Sequence, residues 1–269
     1  MRLHVGAKTD VGRIRELNED AYLASIDACL FVVCDGMGGA PAGEVASDLA
    51  VRAIVQQFNG GAAGHGGLTD GDGNGYLPQT SRLGDAIRRC NQIVYAHAQE
   101  DPRHNGMGTT VVAACIAKDI ASIAHVGDSR AYLWHDDRLE SLTRDHSLGE
   151  AQARAGVPAD SPAFSEHRNV LLRVLGRAPD VDVELTEVPV RSGDYLLLCS
   201  DGLTRMVPEP AIERTIVRLR QPQRIADHLI DAANECGGTD NTTVVIVEIG
   251  GSWWNRLFHR WKGLGRRAA

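Results

Sequence analysis

Residues 31–36 read Phe31-Val32-Val33-Cys34-Asp35-Gly36, an apolar run that ends in an aspartate followed by a glycine. The pattern recurs at Asp128 and at Asp201, each after an apolar run, and Asp240 stands just before the apolar run 242–247. A lone Asp-Gly pair is typical of a turn. Four acids at strand ends can instead gather into one cluster if the strands lie side by side, and such a cluster repels itself unless cations neutralise it. The pattern therefore predicts a metal site.

The spacing of apolar residues outside these runs separates helices from strands. Apolar positions recur at helical spacing in residues 42–58, 82–99 and about 222–235, whereas short apolar runs with turn signals predict strands within 3–34, 107–134, 181–200 and 242–249. Strand runs flank the helices without a regular β-α-β alternation. This order favours an α+β fold of antiparallel sheets with helices on the outside. Residues 147–169 are polar and contain two prolines, which predicts a helix followed by a mobile loop.

Composition excludes several classes of protein. The chain of 269 residues has a net charge of −7, which argues against general nucleic-acid binding. It contains no run of about 20 apolar residues that would cross a membrane, and its first residues lack an apolar signal core. The six cysteines are scattered and form no C-x-x-C pair, which indicates reduced, buried thiols. We therefore expect a cytoplasmic protein.

The chemistry of the acids indicates which metal they would bind. Carboxylate and backbone carbonyl oxygens are hard ligands, and these suit Mg²⁺ or Mn²⁺. An aspartate that bridges two such cations would hold an acidified water between them, ready for in-line attack at phosphorus. Glu19 and Asp20 could hold waters on the metals. Arg15, four residues before Glu19, could grip a phosphate in a bidentate manner.

An ordered set of motifs carries a resemblance to a known family. The chain closely resembles the metal-dependent serine/threonine protein phosphatases of type 2C, in their compact bacterial form, over about residues 5–249. The motifs occur in this order: Arg15-x-x-Asn18-Glu19-Asp20, Asp35-Gly36-Met37-Gly38-Gly39, Gly108-Thr109-Thr110, Gly127-Asp128-Ser129-Arg130, Asp145-His146-Ser147, Ser200-Asp201-Gly202-Leu203 and Gly238-Thr239-Asp240-Asn241.

The resemblance implies a fold and a set of metal ligands. The fold would be a four-layer α-β-β-α sandwich of two antiparallel sheets flanked by helix pairs, with the metals at one end. Asp35 would bridge two Mn²⁺ or Mg²⁺ ions, with the Gly36 carbonyl on one of them. Asp201 and Asp240 would hold the other ion, and Asp128 with Asp201 would bind a third.

The resemblance also implies roles around the metals. Glu19 and Asp20 would act through water, and Arg15 would bind the substrate phosphate. Residues 147–170 would form a flap beside the active site that influences the choice of substrate. The catalytic domain would span residues 1–249, followed by a tail at 250–269.

The general acid for the leaving alkoxide is left open. Animal members of the family carry a histidine directly after the Asp-Gly pair, whereas this chain has Met37, whose thioether cannot donate a proton. A metal-bound water or His146 could serve instead.

Residues 199–205 also match the motif of a different class of phosphatase, one that uses a cysteine nucleophile. Cys199 and Arg205 fit the C-x5-R loop of cysteine-dependent phosphatases, with Cys199 as nucleophile and Arg205 as phosphate clamp. Asp201 would place a negative charge inside that anion-binding loop. Cys199 also ends an apolar run, so a buried strand thiol is the simpler interpretation.

Two further segments have alternative interpretations. Residues 70–75 copy the first half of a calcium loop, but Ser81 stands where the bidentate glutamate should be, which favours a solvated connector. Residues 252–269 carry five basic residues, no acid and an apolar stripe at helical spacing, with a local charge of +5 that leaves −12 for the rest. This tail would be an interfacial helix that touches anionic lipid or a partner protein, or else a terminal helix packed on the protein's own surface or a frayed end.

We therefore expect a Mn²⁺- or Mg²⁺-dependent phosphatase that acts on phosphoserine and phosphothreonine in proteins, as a monomer, opposing a cognate serine/threonine kinase. The alternative is a metal-binding regulatory module that docks phosphoproteins without turnover. The complete set of Arg15 and the four aspartates speaks against this alternative.

Overall fold

A computed structural model describes residues 1–38, 42–60, 75–157 and 168–250 of the chain. Residues 70–74 of the calcium-like segment and the basic tail after Gly250 lie outside these residues, as does the middle of the flap at 158–167.

The first sheet contains both ends of the described chain. Its five strands run antiparallel in the order β1-β11-β10-β7-β8. Their bounds are β1 Arg2–Asp10, β7 Arg130–His135, β8 Arg138–Ser141, β10 Tyr195–Cys199 and β11 Thr242–Gly250.

The second sheet is also antiparallel, in the order β2-β3-β5-β6-β9, with the short β4 paired to β3. Its strands are β2 Asp20–Ser25, β3 Leu30–Met37, β4 Gly108–Thr109, β5 Val111–Ala117, β6 Ile120–Val126 and β9 Glu184–Pro189.

Side-chain alternation explains why the central strands are continuously apolar. In β3, Phe31 and Val33 face the core between the two sheets, whereas Leu30, Val32 and Cys34 face the core beneath the helices. Successive side chains of a strand point to opposite faces, so a strand covered on both sides must be apolar at every position.

Helices cover the outer face of each sheet. Helices α1 (Ala42–Gly60) and α2 (Pro78–Glu100) pack on the second sheet. The first sheet is covered by α4 (Asp201–Met206), α5 (Glu209–Leu219) and α6 (Pro222–Glu235). A short helix, α3 (Leu148–Arg154), begins the flap, and a 3-10 turn at Pro102–His104 follows α2.

The predicted α+β sandwich is confirmed: the layers run helix, sheet, sheet, helix. Predicted helices at 42–58, 82–99 and 222–235 match α1, α2 and α6. Helix α5 was not predicted, although its buried residues Ile212, Thr215 and Ile216 follow helical spacing.

Candidate metal centre and active site

The four aspartates that stand far apart in sequence lie around one cavity. Asp35 is on β3 and Asp128 follows β6, so both come from the second sheet, whereas Asp201 begins α4 directly after β10 and Asp240 precedes β11 in the first sheet. The cavity has a volume of about 1000 Å³ and is also lined by Glu19, Gly36 and Met37. The aligned ends of the two sheets thus bring the acids together.

Strand pairing adds a fifth carboxylate. The register of β2 on β3 sets Asp20 directly opposite Asp35, a pairing of like charges that destabilises a sheet by itself. One oxygen of Asp20, Oδ2, accepts hydrogen bonds from Ser200 Oγ at 2.7 Å and from Thr243 Oγ1 at 2.7 Å. These bonds tie the acid of one sheet to residues of the other.

Two glycines allow the close approach of backbone around the acids. A Cβ at Gly36 would collide with the carbonyl oxygen of Gly43 at the start of α1. Gly127, with φ at +108°, adopts a conformation that side chains rarely allow, and a Cβ there would stand 2.7 Å from Thr110 Cβ. Replacement of either glycine would displace the aspartate next to it.

The carboxylates resist ionisation together. Burial, reinforced by the charges of Asp20 and Asp201, raises the pKa of Asp35 well above its ordinary value. Burial also raises the pKa of Asp20 and that of Asp128, each to about 7. Burial also raises the pKa of Asp201, and the positive charge of Arg205 offsets part of this increase. Without cations the cluster therefore holds protons at neutral pH.

Unsatisfied oxygens show that the cluster fits a divalent cation. Glu19 Oε1, Asp20 Oδ1 and Asp201 Oδ1 are buried, and none has a hydrogen-bond partner among the described residues. Buried polar atoms are almost always paired, so such oxygens need another partner. Carboxylate oxygens are the ligands that Mg²⁺ and Mn²⁺ prefer. The donor set thus fits the predicted metals.

Arg15 lies at the mouth of the cluster. Its Nη2 and Nε contact the two carboxylate oxygens of Asp240, each at 3.0 Å, and its side chain is half exposed. This is the forked geometry with which a guanidinium also grips phosphate. The cavity is lined further by Arg173, Arg177 and Arg205. The first two were missed by sequence reasoning because no motif marks them, and Arg205 was considered only as part of the C-x5-R loop.

His146 is not brought to the cluster. It is buried outside the lining of the cavity as the described residues define it, and its ring stacks on His125 at 4.5 Å between centroids. Its Nδ1 accepts a hydrogen bond from the Gly127 N–H at 3.2 Å, and its Nε2 lies 3.2 Å from Glu184 Oε2. The role of His146 as general acid stays a prediction that this placement does not favour.

His125, His146 and Glu184 have ligand atoms within 4.8 Å of one another, which is the spacing of a metal site. The hydrogen bonds argue for another interpretation. Since Nδ1 of His146 accepts from a backbone N–H, a neutral ring carries its proton on Nε2 and donates it to Glu184. Both ring nitrogens of His146 are therefore already engaged, and the Arg173 guanidinium also lies 3.4 Å from Nε2, which places a positive charge where a metal would bind.

Cys199 does not have the environment of a nucleophile. It is fully buried at the end of β10, and burial raises the pKa of its thiol to about 12. Arg205, the phosphate clamp of the rival hypothesis, contacts the carboxylates of Asp201, Asp128 and Asp240. The structure therefore argues against the cysteine-dependent chemistry.

Comparison with known proteins identifies the family. The family profile described as Protein phosphatase 2C matches residues 13–236, which is most of the chain. The chain belongs to the protein phosphatase 2C family. The motifs quoted from the sequence led to the same family.

Named relatives of this phosphatase 2C chain support the assignment. It is 40% identical to the serine/threonine phosphatase stp of Listeria innocua over 250 residues, which cover 91% of this chain and 96% of the relative. A crystal structure of the serine/threonine phosphatase Stp1 from Staphylococcus aureus is 33% identical, with a TM-score of 0.80, covering 93% of this chain and 96% of that one. The catalytic domain of PstP, in complex with 2 manganese ions, is 32% identical with a TM-score of 0.78, covering 93% of this chain and 99% of that one.

Among the described residues of this phosphatase 2C member, no helix is both long and apolar enough to cross a membrane.

Proposed function

We propose that this protein hydrolyses phosphoserine and phosphothreonine esters in proteins at the cavity lined by the four aspartates. Membership of the family and the named relatives make it a protein serine/threonine phosphatase. The observation that supports the location of the site is the convergence of acids beside Arg15 in one cavity, where Glu19 and Asp201 each have a buried oxygen without a hydrogen-bond partner among the described residues.

The positions of the acids support the roles that the family resemblance implies. Asp35, the Gly36 carbonyl, Asp201 and Asp240 would hold two divalent cations, manganese or magnesium. Such cations would supply the positive charge and the acidified water that in-line attack at phosphorus requires. The manganese ions in the related PstP domain support this choice of metal. Glu19 and Asp20 have buried oxygens left over for ordered water.

Arg15 would position the substrate. Its side chain is half exposed, so its guanidinium can turn from Asp240 to the phosphate of a phosphoserine or phosphothreonine that enters the cavity. Two parallel N–H donors would hold the phosphate oxygens and stabilise the charge that builds up during transfer. The general acid for the alkoxide is open between water and His146.

The test is release of phosphate from a panel of phosphothreonine peptides and from p-nitrophenyl phosphate, with Mn²⁺ and again with EDTA. We expect turnover with Mn²⁺ and none with EDTA. The Asp35→Asn variant should be inactive, whereas Asp137→Asn, the same charge change in an exposed turn, should be as active as the unmodified protein. Folded protein that binds phosphopeptides with Mn²⁺ but does not turn them over would support the docking module instead.

The kinase partner, oligomeric state, location and substrate-selecting flap of the enzyme are proposed from the sequence. A cognate serine/threonine kinase, a monomeric state and a cytoplasmic location are predictions from the sequence, and so is the flap at residues 147–170 as a determinant of substrate choice. Strand β11 ends at Gly250, so the catalytic domain would end with it. The tail beyond it lies outside the described residues.

A further inference from the structure

The Arg205 guanidinium lies among the acids of the cavity. Its Nη2 contacts Asp201 Oδ2 and lies 3.7 Å from Asp128 Oδ2, and its Nη1 lies 3.5 Å from Asp240 Oδ2. About a third of its side chain is exposed, where it lines the cavity. One cation of the chain itself therefore bridges three of the four aspartates.

The local sequence fixes Arg205 in this place. Asp201 begins α4 and Arg205 follows one turn later, so the two side chains share one face of the helix. The start of α4 packs closely on the backbone that precedes β11, since a Cβ at Gly202 would collide with the carbonyl oxygen of Asn241. From this position on α4 the guanidinium contacts Asp240 and Asp128 as well as its own helix partner.

The same two acids, Asp128 and Asp201, are those that the family resemblance assigns to a third metal ion. A divalent ion on these carboxylates would bind at about 2.0–2.6 Å from their oxygens. It would then stand within about 5 Å of the guanidinium, with like charges facing each other beside two carboxylates that are largely buried. A planar guanidinium with five donors satisfies two carboxylates without this repulsion.

We propose that the Arg205 guanidinium takes the place of a third divalent cation at Asp128 and Asp201, so that the protein loads two ions and not three. The inference rests on the proposed function, because it concerns the same cluster. It gives Arg205 a positioning role: the side chain neutralises Asp128 and holds Asp201 in place for the ions at the core of the site.

The test counts Mn²⁺ ions per chain by equilibrium dialysis and metal analysis of the full-length protein, with free Mn²⁺ followed by electron paramagnetic resonance. The unmodified protein should saturate at two ions. Arg205→Gln, which removes the charge and keeps a polar side chain, should gain a third, weaker ion. Arg205→Lys should stay at two, and Arg205→Gln combined with Asp128→Asn should return to two.

Matched controls keep the count interpretable. Arg218→Gln removes an arginine from the last turn of α5, where it pairs with His228 at 2.7 Å, and should leave two ions. Asp128→Asn in the otherwise unmodified chain should also keep two ions, because on this proposal Asp128 pairs with Arg205 and does not bind a metal. Circular dichroism melting confirms that each variant is folded.

Specific outcomes would overturn the inference. An unmodified protein that saturates at three ions and drops to two with Asp128→Asn would show that a third ion binds despite Arg205. A folded Arg205→Gln variant that stays at two ions would show that the guanidinium does not exclude the third. An unmodified protein that binds no Mn²⁺ would refute the proposed function itself, which separates the two failures.

Discussion

Replacement of Asp20 by asparagine should stabilise the metal-free protein at neutral pH. Asp20 lies opposite Asp35 in the β2–β3 ladder and close to Asp201, and its pKa is raised from 3.8 to about 7, mainly by burial. An asparagine oxygen can still accept from the Ser200 and Thr243 hydroxyls, which lie 2.7 Å from the carboxylate. The substitution therefore removes the buried charge and keeps the hydrogen bonds.

The size of the effect follows from the linkage between protonation and folding. A carboxyl whose pKa is raised in the folded state binds its proton more tightly there than in the unfolded chain. Its contribution to stability is fully present below the unfolded pKa of 3.8 and is lost as the pH rises through about 7. Between about pH 5 and pH 7, at 1.36 kcal/mol per pKa unit and with Asp20 still half protonated at pH 7, ionisation of Asp20 should cost the metal-free protein about 2 kcal/mol.

The assay is urea unfolding in EDTA at several pH values across this range, repeated with Mn²⁺. Between pH 5 and pH 7 the metal-free Asp20→Asn variant should lose about 2 kcal/mol less than the unmodified protein. Asp137→Asn, in an exposed turn with φ at +59° that asparagine accepts, should behave like the unmodified protein. Parallel pH profiles of the Asp20→Asn variant and the unmodified protein would refute the reasoning, because they would mean that Asp20 carries no buried charge.

Four further predictions test other parts of the molecule. Cys199→Ser should keep Mn²⁺-dependent turnover within about threefold, since a thiol pKa of about 12 makes it no nucleophile; loss of turnover in folded protein would revive the cysteine hypothesis. Gly127→Ala should lower the free energy of unfolding by about 2 kcal/mol or more, because its Cβ would meet Thr110; unchanged urea midpoints would contradict this. If His146 only supports Gly127, His146→Ala should lower the turnover of phosphopeptide and of p-nitrophenyl phosphate by the same factor. If His146 is the general acid, the variant should lose mainly phosphopeptide turnover, because the alkoxide leaving group of that substrate needs a proton. Removal of residues 251–269 should reduce co-sedimentation with anionic liposomes if the basic tail touches lipid, and equal partitioning would end that idea.

The sequence determined the fold class and much of the site because both depend on local signals. Apolar runs without a helical period predicted β3, β10 and β11, and helical spacing predicted α1, α2 and α6. Helix α5 was missed, although its apolar face is regular, because its proline and charged residues hid the pattern. The acids at strand ends could be recognised in the sequence because a carboxylate next to a buried apolar run is costly unless something neutralises its charge.

Contacts between distant segments could not be read from the sequence. His146 stood in a motif, yet the fold turns its ring toward Gly127 and Glu184 and away from the acids. Arg205 fitted a phosphate loop in sequence, yet it lies on three carboxylates. Apart from Asp201, which lies one turn before Arg205, the partners of both side chains come from other segments of the chain, so their roles depend on how the two sheets pack.

The sequence by itself thus determined that four aspartates end or precede buried strands, because the period of apolar residues is a local property of the chain. Only the tertiary structure decided that these aspartates share one cavity, that Asp20 joins them and that Arg205 bridges them. The physical reason is that a carboxylate's charge acts through space. Its pKa, its need for a cation and its choice of partner are set by the groups that the fold brings within a few ångströms.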